Sequence, residues 1–169
     1  MLIIDQVSIR APVDRIFDVA TDVERWPAIL SHYRQVRFLD RSDRGGTVEM
    51  AAWRPFGPLR YPVWWVSEMT VDPTACEIRY RHVRGITTGM DVVWRFDHQA
   101  RSHAEAWGTT EDVDTVVTIV HAWQGPAWPL IGWLAANLVI GPVFIHGIAS
   151  RTLAGIKRDA ERVGDPGPP

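Results

Sequence analysis

Cysteine is almost absent from this 169-residue chain: Cys76 stands alone, so no internal disulfide can form and no thiol cluster exists to hold zinc. That usage suits a reducing cytoplasm. Missing too are a glycine-rich phosphate loop, a nucleophile elbow and a pair of histidines at helical metal-binding spacing. No metal or other cofactor is therefore expected, and any chemistry has to come from residues scattered along the chain that meet in space. An excess of positive charge is also lacking. The net charge of −2 and a pI near 6.3 supply no field for phosphate backbones, which argues against nucleic acid as a partner. The opening run MLIIDQVSIR carries an acid at Asp5 and no basic region before a long apolar stretch, so it does not read as a secretory signal.

Hydrophobic residues, by contrast, make up 46% of the chain, and nine of the residues are tryptophan. This is ample for one core, and a single domain over residues 1–163 is expected, with Gly164 to Pro169 a disordered tail. Residues 3 to 10 are rich in β-branched residues and stop at Ala11-Pro12, the signature of a strand followed by a helix entry. Val13, Ile16, Phe17 and Ala20 then recur at spacings of three and four, one apolar face of a short helix. Trp26-Pro27 punctuates it, and a second short helix is predicted around Ala28 to His32. From Tyr33 to Trp123 the period changes to two, with strands predicted at 34–41, 47–54, 60–71, 76–83, 89–98 and 114–123, an antiparallel meander. Residues 99 to 113 show no clear period.

Between Asp114 and Arg151 there is no Asp, Glu, Lys or Arg, and residues 126 to 149 are long enough to span a bilayer. Prolines and glycines interrupt that stretch, with a kink predicted near Gly141-Pro142. Beyond it Ile145, Ile148, Ala149, Thr152, Leu153 and Ile156 form an apolar stripe opposed by Arg151, Lys157, Arg158 and Asp159. The reading favoured is a helix buried against the sheet; a membrane span or an interfacial membrane contact are the alternatives.

Alternation along the strands indicates which side chains meet. Tyr61, Val63, Trp65, Ser67, Met69 and Val71 share one face, Met90, Val92, Trp94 and Phe96 another, and Val117, Ile119, His121 and Trp123 a third. All three are taken as inner faces. His121 among aromatics is either a hydrogen-bonded core residue or a neutral imidazole able to accept or relay a proton. Ser67 is either a small filler or a hydroxyl that orients a carbonyl. On strand 76–83 parity sets Ile78 and Tyr80 against Arg79 and Arg81, so an inward arginine requires the apolar pair to face out. A cavity arginine would favour an anionic or enolate-like ligand.

The order of elements, with Ala11-Pro12-Val13 and Asp22-Val23-Glu24-Arg25-Trp26-Pro27, resembles the START-like or Bet v 1-like superfamily, and within it the polyketide cyclase/dehydrase group. The resemblance implies an α+β helix-grip fold: a curved antiparallel sheet of about seven strands around a long C-terminal helix, with a deep cavity between. Leu30-Ser31-His32-Tyr33, Trp65-Val66-Ser67, and Arg81 followed by Met90 and Trp94 are similar to aromatic polyketide aromatase/cyclases, which implies pocket roles for Tyr33, Ser67 and Arg81. Met69 stands where that subfamily has a second arginine. Two functions are then expected: a cofactor-free polyketide cyclase, aromatase or dehydratase, with Arg81, Tyr33, Ser67 and His121 as its catalytic group, or a noncatalytic carrier of a lipid, isoprenoid or quinone. Trp26, Trp65, Met69, Met90, Trp94, Trp123, Trp133 and Asn137 are the candidate ligand contacts. The partners expected are a hydrophobic small molecule and, for the cyclase, an acyl carrier protein; a transient membrane contact goes with the carrier. The sequence sets no oligomeric state.

Overall fold

The computed structural model describes residues 1–56, 59–99, 114–125 and 145–162. Strand β1 (Leu2–Arg10) leads into α1 (Val13–Thr21), a single 3-10 turn (Val23–Arg25) and α2 (Trp26–Ile29). Six more strands follow: β2 (Tyr33–Ser42), β3 (Gly45–Phe56), β4 (Leu59–Asp72), β5 (Glu77–Gly85), β6 (Asp91–Gln99) and β7 (Asp114–Ala122), and then α3 (His146–Arg162). The sheet order is β1-β7-β6-β5-β4-β3-β2 with every pair antiparallel. This is the α+β helix-grip architecture expected from the sequence, with β1 returning to pair with the last strand.

Helix α3 is fixed by its apolar stripe. Ala149, Thr152, Leu153, Ile156 and Ala160 are buried, while Arg151 and Arg158 remain in water, the pattern that lets one face pack on a sheet and the other stay solvated. Polar ties add direction: Lys157 Nζ donates to the Ser8 carbonyl at 2.7 Å, and the Arg10 amide donates to Glu161 at 3.0 Å. At the other end of the grip, α3 meets the α2–β2 joint through Gly155, where a methyl group would come within 2.1 Å of Leu30 Cδ2.

Pro27 differs from the expectation. It lies in the first turn of α2 and does not end a helix, because a proline there loses no backbone hydrogen bond; the helix accordingly starts two residues before the predicted Ala28. Tyr61 also departs from the predicted inner face of β4 and is exposed, whereas Val63, Trp65, Ser67 and Met69 are buried as parity requires. Among the described residues no helix is long and apolar enough to cross a membrane. The predicted kink near Gly141, residues 100–113 of the period-free stretch and the tail lie outside the described residues.

The contact at Gly155 yields a test. Gly155→Val forces a branched side chain against buried Leu30 and is expected to lower unfolding free energy by about 1–3 kcal/mol in urea titration. Gly147→Ala, which meets nothing within 4 Å, is expected to leave stability unchanged or slightly raised.

Candidate functional site

The concave face of the sheet and the N-terminal half of α3 enclose a cleft. Its apolar wall is built by side chains two residues apart along the strands, Val63 and Trp65 on β4 and Val92 and Trp94 on β6, with Ile119 on β7, closed from above by Ile148 and Ala149. Trp26 reaches in from α2, where its Nε1 donates to the Val19 carbonyl at 3.1 Å and its ring stacks on Trp94 with centroids 5.8 Å apart. Trp64 and Ile86, both exposed, border the open edge.

Six polar side chains interrupt this wall: Tyr33, Tyr80, His82, Thr87, His121 and Thr152. None of the described lining residues is Asp, Glu, Lys or Arg. Burial therefore dictates protonation, since a charged form would lose its water without gaining a counter-ion within the described lining. The Tyr33 phenol is held well above its ordinary range by burial, with Thr152 beside it acting the other way. Tyr80 is raised by burial and then by its neighbour Tyr33, and its hydroxyl has no hydrogen-bond partner among the described residues.

The histidines move down. His82 stacks on Trp65 with ring planes 9° apart, shares a 2.6 Å hydrogen bond between Nδ1 and the Thr87 hydroxyl, and is lowered to about 3 by burial and then by His121. His121 is lowered to about 4 by burial. Just outside the lining, His32 is lowered to about 4 by burial and then by Arg151 and Arg158. Its Nε2 lies 3.0 Å from Thr152 Oγ1. Because that hydroxyl spends its one proton on the Ile148 carbonyl, His32 is the donor of the pair. All three imidazoles are neutral at pH 7.

The structure thus brings together Tyr33, His121, Trp26, Trp65, Met90 and Trp94. It separates others. Arg81 is the main correction: it points away from the cleft, more than half exposed, and its Nη1 donates to both carboxylate oxygens of Asp91, at 2.7 and 2.9 Å. The reason is the parity conflict of β5, decided by Ile78, Tyr80 and His82 occupying the inner face. Ser67 and Met69 are buried but do not border the cleft, and Ser67 Oγ has no hydrogen-bond partner among the described residues. Trp123 is also buried away from the cleft, where its Nε1 donates to the Thr88 carbonyl at 3.0 Å and ties down the β5–β6 turn. Trp133 and Asn137 lie outside the described residues. The sequence reading missed His82, yet the signal was there: it continues the Ile78, Tyr80 alternation by one step.

Known proteins share this chain and fold. Residues 9–141 match the family described as polyketide cyclase / dehydrase and lipid transport. A provisionally named polyketide cyclase of Streptomyces cyaneus is 33% identical over 95 residues, which are 55% of this chain and 60% of that protein. A second provisionally named polyketide cyclase, from Streptomyces halstedii, is 30% identical over 106 residues, 61% of this chain and 94% of the relative. Among solved structures, the ZhuI aromatase/cyclase of Streptomyces sp. R1128 superposes with a TM-score of 0.71 at 18% identity, covering 98% of this chain and 96% of that one. A START superfamily protein of Mycobacterium smegmatis does so with a TM-score of 0.61 at 12% identity, covering 96% and 98%. At such identities the structural likeness concerns the fold.

The neutral histidines predict a pH dependence. Their folded-state pKa values lie below the unfolded value of about 6.5, so between pH 6.5 and 4 the unfolded chain binds protons that the folded chain refuses, and stability falls as the pH is lowered. Buried Asp5, shifted upward, works in the opposite sense but is one group against three. Urea midpoints are expected to drop from pH 7 to pH 5, and His82→Gln to flatten that drop.

Proposed function

Because the chain belongs to the polyketide cyclase / dehydrase and lipid transport family, we propose that its cleft takes up a hydrophobic poly-β-ketone and acts on it as a cofactor-independent cyclase, aromatase or dehydratase. The observation that carries this reading is the set of neutral proton-handling groups, His121, His82, Tyr33 and Tyr80, on a wall that is otherwise apolar and uncharged. A methylene between two carbonyls is acidic enough for a neutral imidazole to deprotonate. His121 takes that proton, and the electron pair of the broken C–H bond becomes an enolate whose oxygen accepts a hydrogen bond from the Tyr33 hydroxyl. The enolate carbon attacks a second carbonyl of the folded chain, closing the ring. The imidazolium gives its proton to the alkoxide so formed. His121 then removes the remaining proton of the same methylene, that electron pair forms the C=C bond, and the C–O bond breaks as the imidazolium returns this second proton to the departing hydroxyl, which leaves as water.

The apolar wall folds and confines the chain, supplying the proximity that selects one ring closure over others. In this scheme an acyl carrier protein delivers the chain as a thioester. Ser67 and Arg81, away from the cleft, take no part. One observation favours the carrier instead: the described lining has no cation to steady an enolate, and Met69 stands where the aromatase/cyclase pattern has arginine. A carrier of a lipid, isoprenoid or quinone needs only the apolar wall.

Turnover with a thioester-mimic poly-β-ketone separates the two. His121→Gln and Tyr33→Phe are each expected to lower kcat on the order of a hundredfold with ligand binding retained, and Arg81→Met to leave both unchanged. Cyclisation at the spontaneous rate and product pattern by the wild type, with saturable binding of the same compound, would establish the carrier. The same binding is expected to quench emission from Trp65 and Trp94.

A further inference from the structure

The chemistry above leaves one buried cluster unused. Asp5 sits on β1 at a position whose parity, shared with Ile3, Val7 and Ile9, turns it away from the exposed Leu2 and Ile4 and toward the helix. An acid there breaks the apolar pattern of the strand, and its burial is costly unless the carboxyl is engaged. Pairing of β1 with β7 places Ile3 opposite His121 and Asp5 opposite Ile119, so Asp5 and His121 are diagonal neighbours on one face. Asp5 Oδ1 is hydrogen-bonded to Nδ1 of His146, the exposed first residue of α3. Asp5 Oδ2 faces His121 Nδ1 at 3.9 Å, and neither atom has a hydrogen-bond partner among the described residues.

We propose that Asp5 is a positioning residue for His121: its carboxylate holds the imidazole in the tautomer protonated at Nδ1, which leaves the Nε2 lone pair for the cleft. The separation is one that closes on ligand binding, as hydrogen bonds between such partners are commonly long in the empty site. Burial raises the Asp5 pKa, while the hydrogen bond and charge of His146 act to lower it and so favour the carboxylate. The use of that lone pair rests on the cyclase reading. When a substrate C–H bond breaks and its proton forms an N–H bond at Nε2, the pair stays on carbon, and the new imidazolium lies against the Asp5 carboxylate. Return of the Nε2 proton, to the alkoxide after ring closure and, in the second cycle, to the leaving hydroxyl, restores the starting state each time, and Asp5 neither gains nor loses a proton. The other titratable groups around the pair are His82, facing His121 from β5, and Lys157, Arg158 and Glu161, which line the outer groove between β1 and α3.

Side-chain nitrogen-15 spectra of the full-length protein test this without substrate. The expected result is a neutral His121 with the proton on Nδ1 at pH 7, lost or redistributed to Nε2 in Asp5→Asn. The same variant should lose about 10- to 100-fold in kcat with little change in KM. An Nε2-protonated His121 in the wild type, or an unaltered tautomer in Asp5→Asn, would overturn the inference, and the first reading needs no variant to fold. Failure of the cyclase reading shows separately, as wild-type protein with Nδ1-protonated His121 that cyclises nothing.

Discussion

Closing a concave sheet against a helix takes the inner face out of water, and that exclusion forces the protonation states on which the rest of this protein depends. With no carboxylate, lysine or arginine among the described residues of the cleft, each titratable group there adopts its neutral form. Histidines become bases with a free lone pair, and tyrosines become donors that do not ionise. A polar group in such a setting costs stability unless it is paired. Thr87 answers His82, Thr152 answers His32 and Asp5 faces His121 Nδ1, whereas the Tyr80 hydroxyl has no partner among the described residues. Unfilled hydrogen-bonding capacity on a dry wall is what a bound carbonyl compound can use.

The charged residues serve a different end. Arg81 with Asp91, Arg37 with Glu49 and Arg79 with Glu77 are pairs on the water side of the strands. Each is worth little in energy, but together they occupy the outer positions of the alternation and so keep the apolar set facing in. Arginine on β5 is therefore a mark of the solvated face. This is why Arg81 does not reach the pocket, contrary to what its resemblance to the aromatase/cyclase pattern implied.

The helix contributes through both of its ends. Gly155 lets α3 settle against Leu30, and His146 at the first residue meets Asp5 on the edge strand. The segment that closes the cavity thereby also holds the acid beside the cavity's own imidazole. Fold and site are coupled at that point, and the family relationship explains the first while the particular residues of this chain decide the second.

Much of this was legible in the sequence. Alternation with period two placed Val63, Trp65, Trp94 and His121 on inner faces, and spacing of three and four gave α1 and the stripe of α3, because both patterns are local consequences of backbone geometry. Parity failed at Val66, an outer position in the middle of β4 that is buried beside a register shift against β5, and where it was silent about neighbours or strand ends. It put Trp123 on the right face but could not show that its indole would turn to the Thr88 carbonyl, and it extended the inner face of β4 to Tyr61, where the sheet is open to water. On β5 it set two readings against each other, which burial of Ile78 and Tyr80 resolved. The meeting of Asp5, His121 and His146 was beyond it, since the Asp5–His146 pair is 141 residues apart in the chain. A side chain's face is fixed by its own strand, whereas its partners are fixed by which strand and which helix end the closed sheet brings alongside. The sequence by itself determined the former; only the tertiary structure decided the latter.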